Sequence, residues 1–114
     1  MSEVEPRKRK YKLFTPRMGV YAVRHLPSGR ILLGSSTHLE GILNRHHFQL
    51  SAGIHVDKDL QADWRRDGAE AFSFEILDEL PPSDDVAPKD PSEDLMALEE
   101  LWRERLAAEA EYGR

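Results

Sequence analysis

The chain contains no cysteine, which excludes disulfides, thiolate metal sites and thiol nucleophiles and agrees with a reducing compartment. Any metal ion it bound would have to use oxygen or imidazole ligands. Long apolar runs are missing too: stretches such as Ile31-Leu32-Leu33 fall far short of the roughly 20 residues of a transmembrane helix. No charged-then-apolar leader opens the sequence and no internal repeat is evident. These absences give the expectation of a cytoplasmic protein without membrane association.

What is present suffices for one folded domain. Apolar residues make up 39% of the 114 residues and charged residues 32%, enough for a single modest core and too balanced for full disorder. The net charge of -5 is unevenly spread. Through Arg17, six basic residues (Arg7, Lys8, Arg9, Lys10, Lys12, Arg17) face two acids, for a net of +4. From Glu79 onward eleven acids face four basic residues, for a net of -7. Nucleic-acid affinity rests mainly on Lys and Arg contacts to phosphates, so an acidic domain must gather such contacts in one patch. Residues 1–17 are therefore the candidate nucleic-acid-binding arm, against the alternative of a solvated basic segment.

Periodicity divides the remainder into six elements. A β-rich run around Val20 to His25 stops at Pro27-Ser28-Gly29, and Arg30 to Ser36 reads as its hairpin partner. Leu39, Ile42, Leu43, His46, His47 and Leu50 follow the spacing of one helical face, with Gly53 as a stop. Asp57 caps a second helix with Leu60 and Trp64 on its inner side and Gly68 at its end. Phe72, Phe74 and Ile76 share one face of a third strand. An acidic stretch over 81–92 with four prolines reads as a mobile linker. Ser92 then caps a last helix running to about Glu111, with Leu95, Leu98, Trp102 and Leu106 on one stripe. The expected fold is α+β, a three-stranded antiparallel sheet flanked by helices in the order β-β-α-α-β-α, over residues 18–111.

Gly19-Val20-Tyr21 and Leu32-Leu33-Gly34 fall on the first two strands, and Leu60-Gln61, Asp63-Trp64, Gly68, Phe72 and Phe74-Glu75-Ile76-Leu77 follow downstream. Together they make the chain resemble the GIY-YIG nuclease family over residues 18–106. The resemblance implies a phosphodiester hydrolase site built from a tyrosine of each name motif, an arginine on the first helix and a glutamate on the last that holds one divalent cation. Tyr21 matches the first tyrosine and Glu99 the metal-binding glutamate. On helical spacing alone, Glu99 shares the edge of the apolar stripe, and its plain alternative is an ion pair with Arg103.

Two positions depart from the pattern. The second tyrosine falls on Leu32 and the catalytic arginine on Ile42. An arginine that stabilises a transferring phosphoryl group contributes roughly 10³ to 10⁵ in rate, so its loss predicts weak or absent cleavage. Arg45 and His46, three and four residues beyond Ile42, could reach the same helix edge and are the candidate substitutes. His25, His38 and His55 are scattered over different elements and form no zinc-like spacing. Three readings remain open: a divergent nuclease-family domain that binds nucleic acid, DNA ahead of RNA, without cutting; an active endonuclease using Mg²⁺ or Mn²⁺ with Tyr21, Glu99 and a substitute arginine; and a protein-interaction module.

Overall fold

The computed structural model describes residues 16–81 and 90–113. The basic residues Arg7, Lys8, Arg9, Lys10 and Lys12, and most of the 81–92 linker, lie outside the described residues. Three strands, β1 (Met18–His25), β2 (Ile31–Ser36) and β3 (Phe72–Leu80), form one antiparallel sheet in the order β2-β1-β3. Three helices complete the domain: α1 (Leu39–Ala52), α2 (Lys58–Asp67) and α3 (Ser92–Arg105). The α+β architecture and its element order are those read from the sequence.

Central β1 is buried on both faces because each face meets helices. Val23 packs with Leu50 of α1, Leu60 and Trp64 of α2, and Phe72 of β3. On the opposite face Val20, Ala22, Ile31 and Leu33 meet Leu98 and Trp102 of α3. Each such side chain removed from water contributes about 1.5–3 kcal/mol. Phe72 and Phe74 share the first face, as their two-residue period predicts. The β1–β3 register then shifts, with Val20 opposite Asp78 but Tyr21 opposite Ile76. This bulge inserts Leu77 as an extra residue and lets it join the α3 side.

The motif glycines have steric causes. A Cβ on Gly34 would come within 2.5 Å of the Tyr21 hydroxyl and 2.7 Å of its Cζ, so only glycine lets the Tyr21 ring lie across β2. A Cβ on Gly19 would run into the backbone of Asp78 and Glu79 where β3 crosses the bulge. No helix among the described residues is long and apolar enough to cross a membrane.

Helix ends follow the sequence at Asp57, Gly53 and Gly68 and depart from it at both ends of α3. Asp57 accepts the Leu60 N–H at 3.0 Å and starts α2, while Gly53 ends α1 in the left-handed conformation, φ 78°. Ser92, by contrast, makes no cap; it is the first helical residue, and the Asp90 carboxylate accepts both its N–H and its hydroxyl. The last helix also stops at Arg105 rather than near Glu111. Beyond it the chain turns back so that the Ile31 N–H donates to Ala110 and the Tyr112 N–H donates to Ile31. This seats the Tyr112 ring, 2% exposed, in the core below α2. Burying that ring and covering part of the β2 edge outweigh about six more residues of solvated helix.

Candidate functional site

Tyr21 projects from β1 over Gly34 and meets α1 at His46, with Oη 3.0 Å from Nε2. His46 Nδ1 lies 2.8 Å from Nε2 of His55, in the loop between α1 and α2. The backbone N–H of Asp57 donates to His55 Nδ1 at 3.0 Å. That last bond fixes the whole chain. Because Nδ1 of His55 accepts, its proton sits on Nε2 and is donated to His46 Nδ1. His46 then carries its own proton on Nε2 and donates it to Tyr21 Oη. The phenol is left with its O–H directed away from both imidazoles.

Electrostatics agree with this assignment. Burial, helped by the neighbouring His55 and Arg45, pushes the His46 imidazole down to about 4, and burial lowers His55 as well. Both rings are neutral at pH 7. Burial, with the Glu99 carboxylate as a second cause, raises the Tyr21 hydroxyl to about 12. Tyr21 is therefore a protonated hydrogen-bond donor at neutral pH, not a preformed phenolate.

Glu99 reaches the same edge of the sheet from α3. Its Oε1 accepts the Ser35 hydroxyl at 2.7 Å and its Oε2 accepts from Arg103 at 3.0 Å. Arg103 is also held by Glu111 of the returning tail at 2.9 Å. The pairing with Arg103, named from sequence as the plain alternative to a metal role, is thus present. Among the described residues no cluster of three or more His, Asp or Glu side chains could hold a metal ion. Glu99 is the carboxylate that the site offers, and both of its oxygens are engaged.

The remaining sequence candidates divide. Leu32, opposite Val23, packs half-buried against the first core, and Ile42 is half-buried on α1. Arg45 is exposed, one residue from His46. Arg17 is committed to ion pairs with Glu40 and Glu79, both at 3.2 Å. His47, expected on the buried face, is exposed and sets its ring 5.5 Å from those of Trp64 and Phe74. Two participants escaped the sequence reading as parts of the site. His55 and Ser35 carry no spacing signal toward Tyr21, because a turn and a strand pairing bring them there. Arg103 was seen only as a partner to Glu99.

No protein-family model matches the sequence, and no curated protein matches it. Two solved structures do. A mutant form of the catalytic domain of intron endonuclease I-TevI superposes with a TM-score of 0.66 at 21% identity, covering 85% of this chain and 92% of that one. The catalytic domain of homing endonuclease I-TevI gives 0.63 at 23% identity, covering 79% and 88%. At such identity the likeness carries fold and not activity. The chain has the GIY-YIG nuclease fold, the fold of the I-TevI catalytic domain.

Proposed function

We propose that this domain binds nucleic acid at the β2 edge of the sheet, which Tyr21 and Glu99 reach from its two faces, and that it cleaves phosphodiester bonds weakly or not at all. The observation that carries the reading is the chain from the Asp57 N–H through His55 and His46 to Tyr21. Two neutral imidazoles hold a protonated phenol with its O–H turned outward, which suits donation to a phosphate oxygen. The same chain argues against a proton relay. A proton taken by Tyr21 could be passed to His46 and His55 only if His55 Nδ1 gave up the Asp57 N–H. The two hydrocarbon positions, Leu32 and Ile42, supply neither a second phenol nor a guanidinium.

Arg103 supports the same conclusion from the other side. A guanidinium already neutralises Glu99, so a divalent cation would have to displace it or share one oxygen. A second reading, an active endonuclease, is favoured by Tyr21 and Glu99, which keep the residue types that the resemblance implies and meet at one edge of the sheet. In that reading Glu99 would hold a Mg²⁺ or Mn²⁺ ion, which would supply charge stabilisation at the phosphate, and Arg45 would supply the missing positive charge.

The test incubates the purified chain with branched, single-stranded and duplex DNA and with RNA, with and without Mg²⁺ or Mn²⁺. Binding without cutting is expected. Metal-dependent cutting that Glu99→Ala abolishes would overturn the first reading in favour of the second. In the inert case the double variant Leu32→Tyr with Ile42→Arg should raise cleavage, because an arginine in this role contributes roughly 10³ to 10⁵ in rate. Continued inertness would place the deficit in the Arg103–Glu99 pair.

A further inference from the structure

Most cations of the described residues are neutralised. Arg17, Arg24, Arg66 and Arg103 each meet two or more carboxylates, and Arg30 meets Asp59 at 3.5 Å while lying over the Tyr112 ring. Arg105 lies against the Trp102 ring on the far face. Besides Arg105, the cations Arg45, Lys58 and Arg65 find no carboxylate partner among the described residues. They are not scattered. Lys58 and Arg65 line one cleft of about 290 Å³ together with Gly53, His55, Gln61 and Ala62, and Arg45 precedes the His46 that His55 contacts.

The cleft is built rather than incidental. Gln61, 6% exposed, accepts the His55 N–H at 2.9 Å and donates to the Leu50 carbonyl at 3.0 Å, so its amide is spent on shaping the wall. Arg65 donates one N–H to the Gly53 carbonyl at 3.1 Å, which anchors the guanidinium on the rim and leaves its other donors available. The acids beside Lys58 are engaged elsewhere: Asp57 caps α2 and Asp59 faces Arg30. His55 closes the inner end. Its other face leads through His46 to Tyr21 in two ring-to-ring steps of 5.0 and 5.4 Å.

We propose that the cleft between the α1–α2 loop and α2 is a phosphodiester-binding subsite, in which Lys58 and Arg65 hold one backbone phosphate of a nucleic acid while another phosphate of the same strand, a few nucleotides along, lies at Tyr21. This rests on the nucleic-acid reading above and gives it a second anchor point. The spacing suits a strand: backbone phosphates recur about every 3.4 Å along the axis, so the cleft lies a few nucleotides from the phenol. Two cations of different reach can grip one diester where a single exposed lysine would not, and the guanidinium fork matches phosphate oxygens. The subsite needs neither the acidic α3 nor residues 1–15.

Salt dependence reads the subsite directly. Each phosphate neutralised contributes about 0.9 to the slope of log affinity against log salt on duplex DNA. The double variant Lys58→Gln with Arg65→Gln, which empties a subsite for one phosphate, should therefore lower the slope for a labelled duplex by about 0.9. Its affinity should also become about 3.5-fold less sensitive to a fourfold rise in NaCl. Arg105→Gln is the control and should leave the slope unchanged. Because Arg65 also holds Gly53, Lys58→Gln with Arg65→Lys is measured beside it; it should lose about half of the slope change and keep the wild-type melting temperature.

Amide NMR with dimethyl phosphate separates this proposal from the reading beneath it. Duplex binding with an unchanged slope in the double variant overturns the subsite and leaves nucleic-acid binding standing. No duplex binding, but shifts at Gly53, Lys58 and Arg65 that the double variant loses, sustains an anion subsite and overturns the nucleic-acid reading. Neither binding nor shifts overturns both.

Discussion

The two ends of the sheet carry similar polar residues and treat them in opposite ways. At the hairpin end His25, 2% exposed, contacts Asp67 through Nε2 and Ser28 through Nδ1, each at 2.7 Å. Arg66 ties Asp67 to Asp63, and the Tyr112 hydroxyl donates to Asp63. Every member of that network is answered by another. At the opposite end the histidines also hold a tyrosine, but the chain starts from one backbone N–H and finishes on a phenol with no described acceptor beyond it. A closed network stabilises; an open one is left with a donor to offer. The difference separates a structural His–Tyr–Asp cluster from a candidate site that residue types alone would not distinguish.

The largest effect that could break this comparison lies at the closed end. Tyr112→Ala removes a buried ring and leaves Asp63 without its hydroxyl, and should cost about 3–5 kcal/mol in urea denaturation. Such a loss would also free the tail from β2 and loosen Glu111 from Arg103. Unchanged stability would mean that the returning tail contributes nothing, and that the closed end is not what holds the chain reversal in place.

Acid separates the two ends at the next level. The unfolded chain takes up a proton on His46 at about 6.5, the folded one at about 4. Between these values the unfolded state binds more protons, so stability falls as pH drops through that window and levels off below it. At the closed end Asp63 feels burial, which would raise it, but its bonds to Tyr112 and Arg66 hold it below its ordinary 3.8. The closed end therefore loses stability only when acid passes below about 4. Thermal melts from pH 7 to pH 4.5 should show a loss of roughly 1–3 kcal/mol, and His46→Gln should flatten it. An equally steep fall in His46→Gln would move the titrating group elsewhere.

How much of this was legible follows from where the signals lie. Leu60 with Trp64, and Leu98 with Trp102, sit one turn apart and so announced the faces of α2 and α3; the motif glycines marked the first two strands. Period and turn chemistry are local, and local rules suffice for them. The early stop of α3 was not legible, because Ala107 to Ala110 carries no helix breaker. What ends the helix is distant, the β2 edge at Ile31 and the cavity that Tyr112 fills. The site divides similarly. Tyr21 and Glu99 could be named from position, but His55 could be linked to His46 only through the turn after Gly53. Pairing of cations is also a tertiary fact, so the sequence pointed to its most basic stretch, of which Arg17 turns out to be committed to Glu40 and Glu79.

The smallest effect is the most discriminating. Tyr21→Phe and Tyr112→Phe each delete one hydroxyl from a ring that is under 8% exposed, so ring burial cancels between them. In Tyr112→Phe the lost bond goes to a carboxylate inside the closed network, which should cost about 1.5–3 kcal/mol of stability. In Tyr21→Phe the lost partner is a neutral imidazole N–H at the open end, where the outward O–H makes no described contact, and the cost should stay within about 1 kcal/mol. Nucleic-acid affinity should respond in the reverse sense, falling a few-fold in Tyr21→Phe and staying unchanged in Tyr112→Phe wherever both proteins are folded. Equal stability losses in the two variants would show that the Tyr21 hydroxyl is as fully satisfied as that of Tyr112, and the case for an open-ended site would go with it.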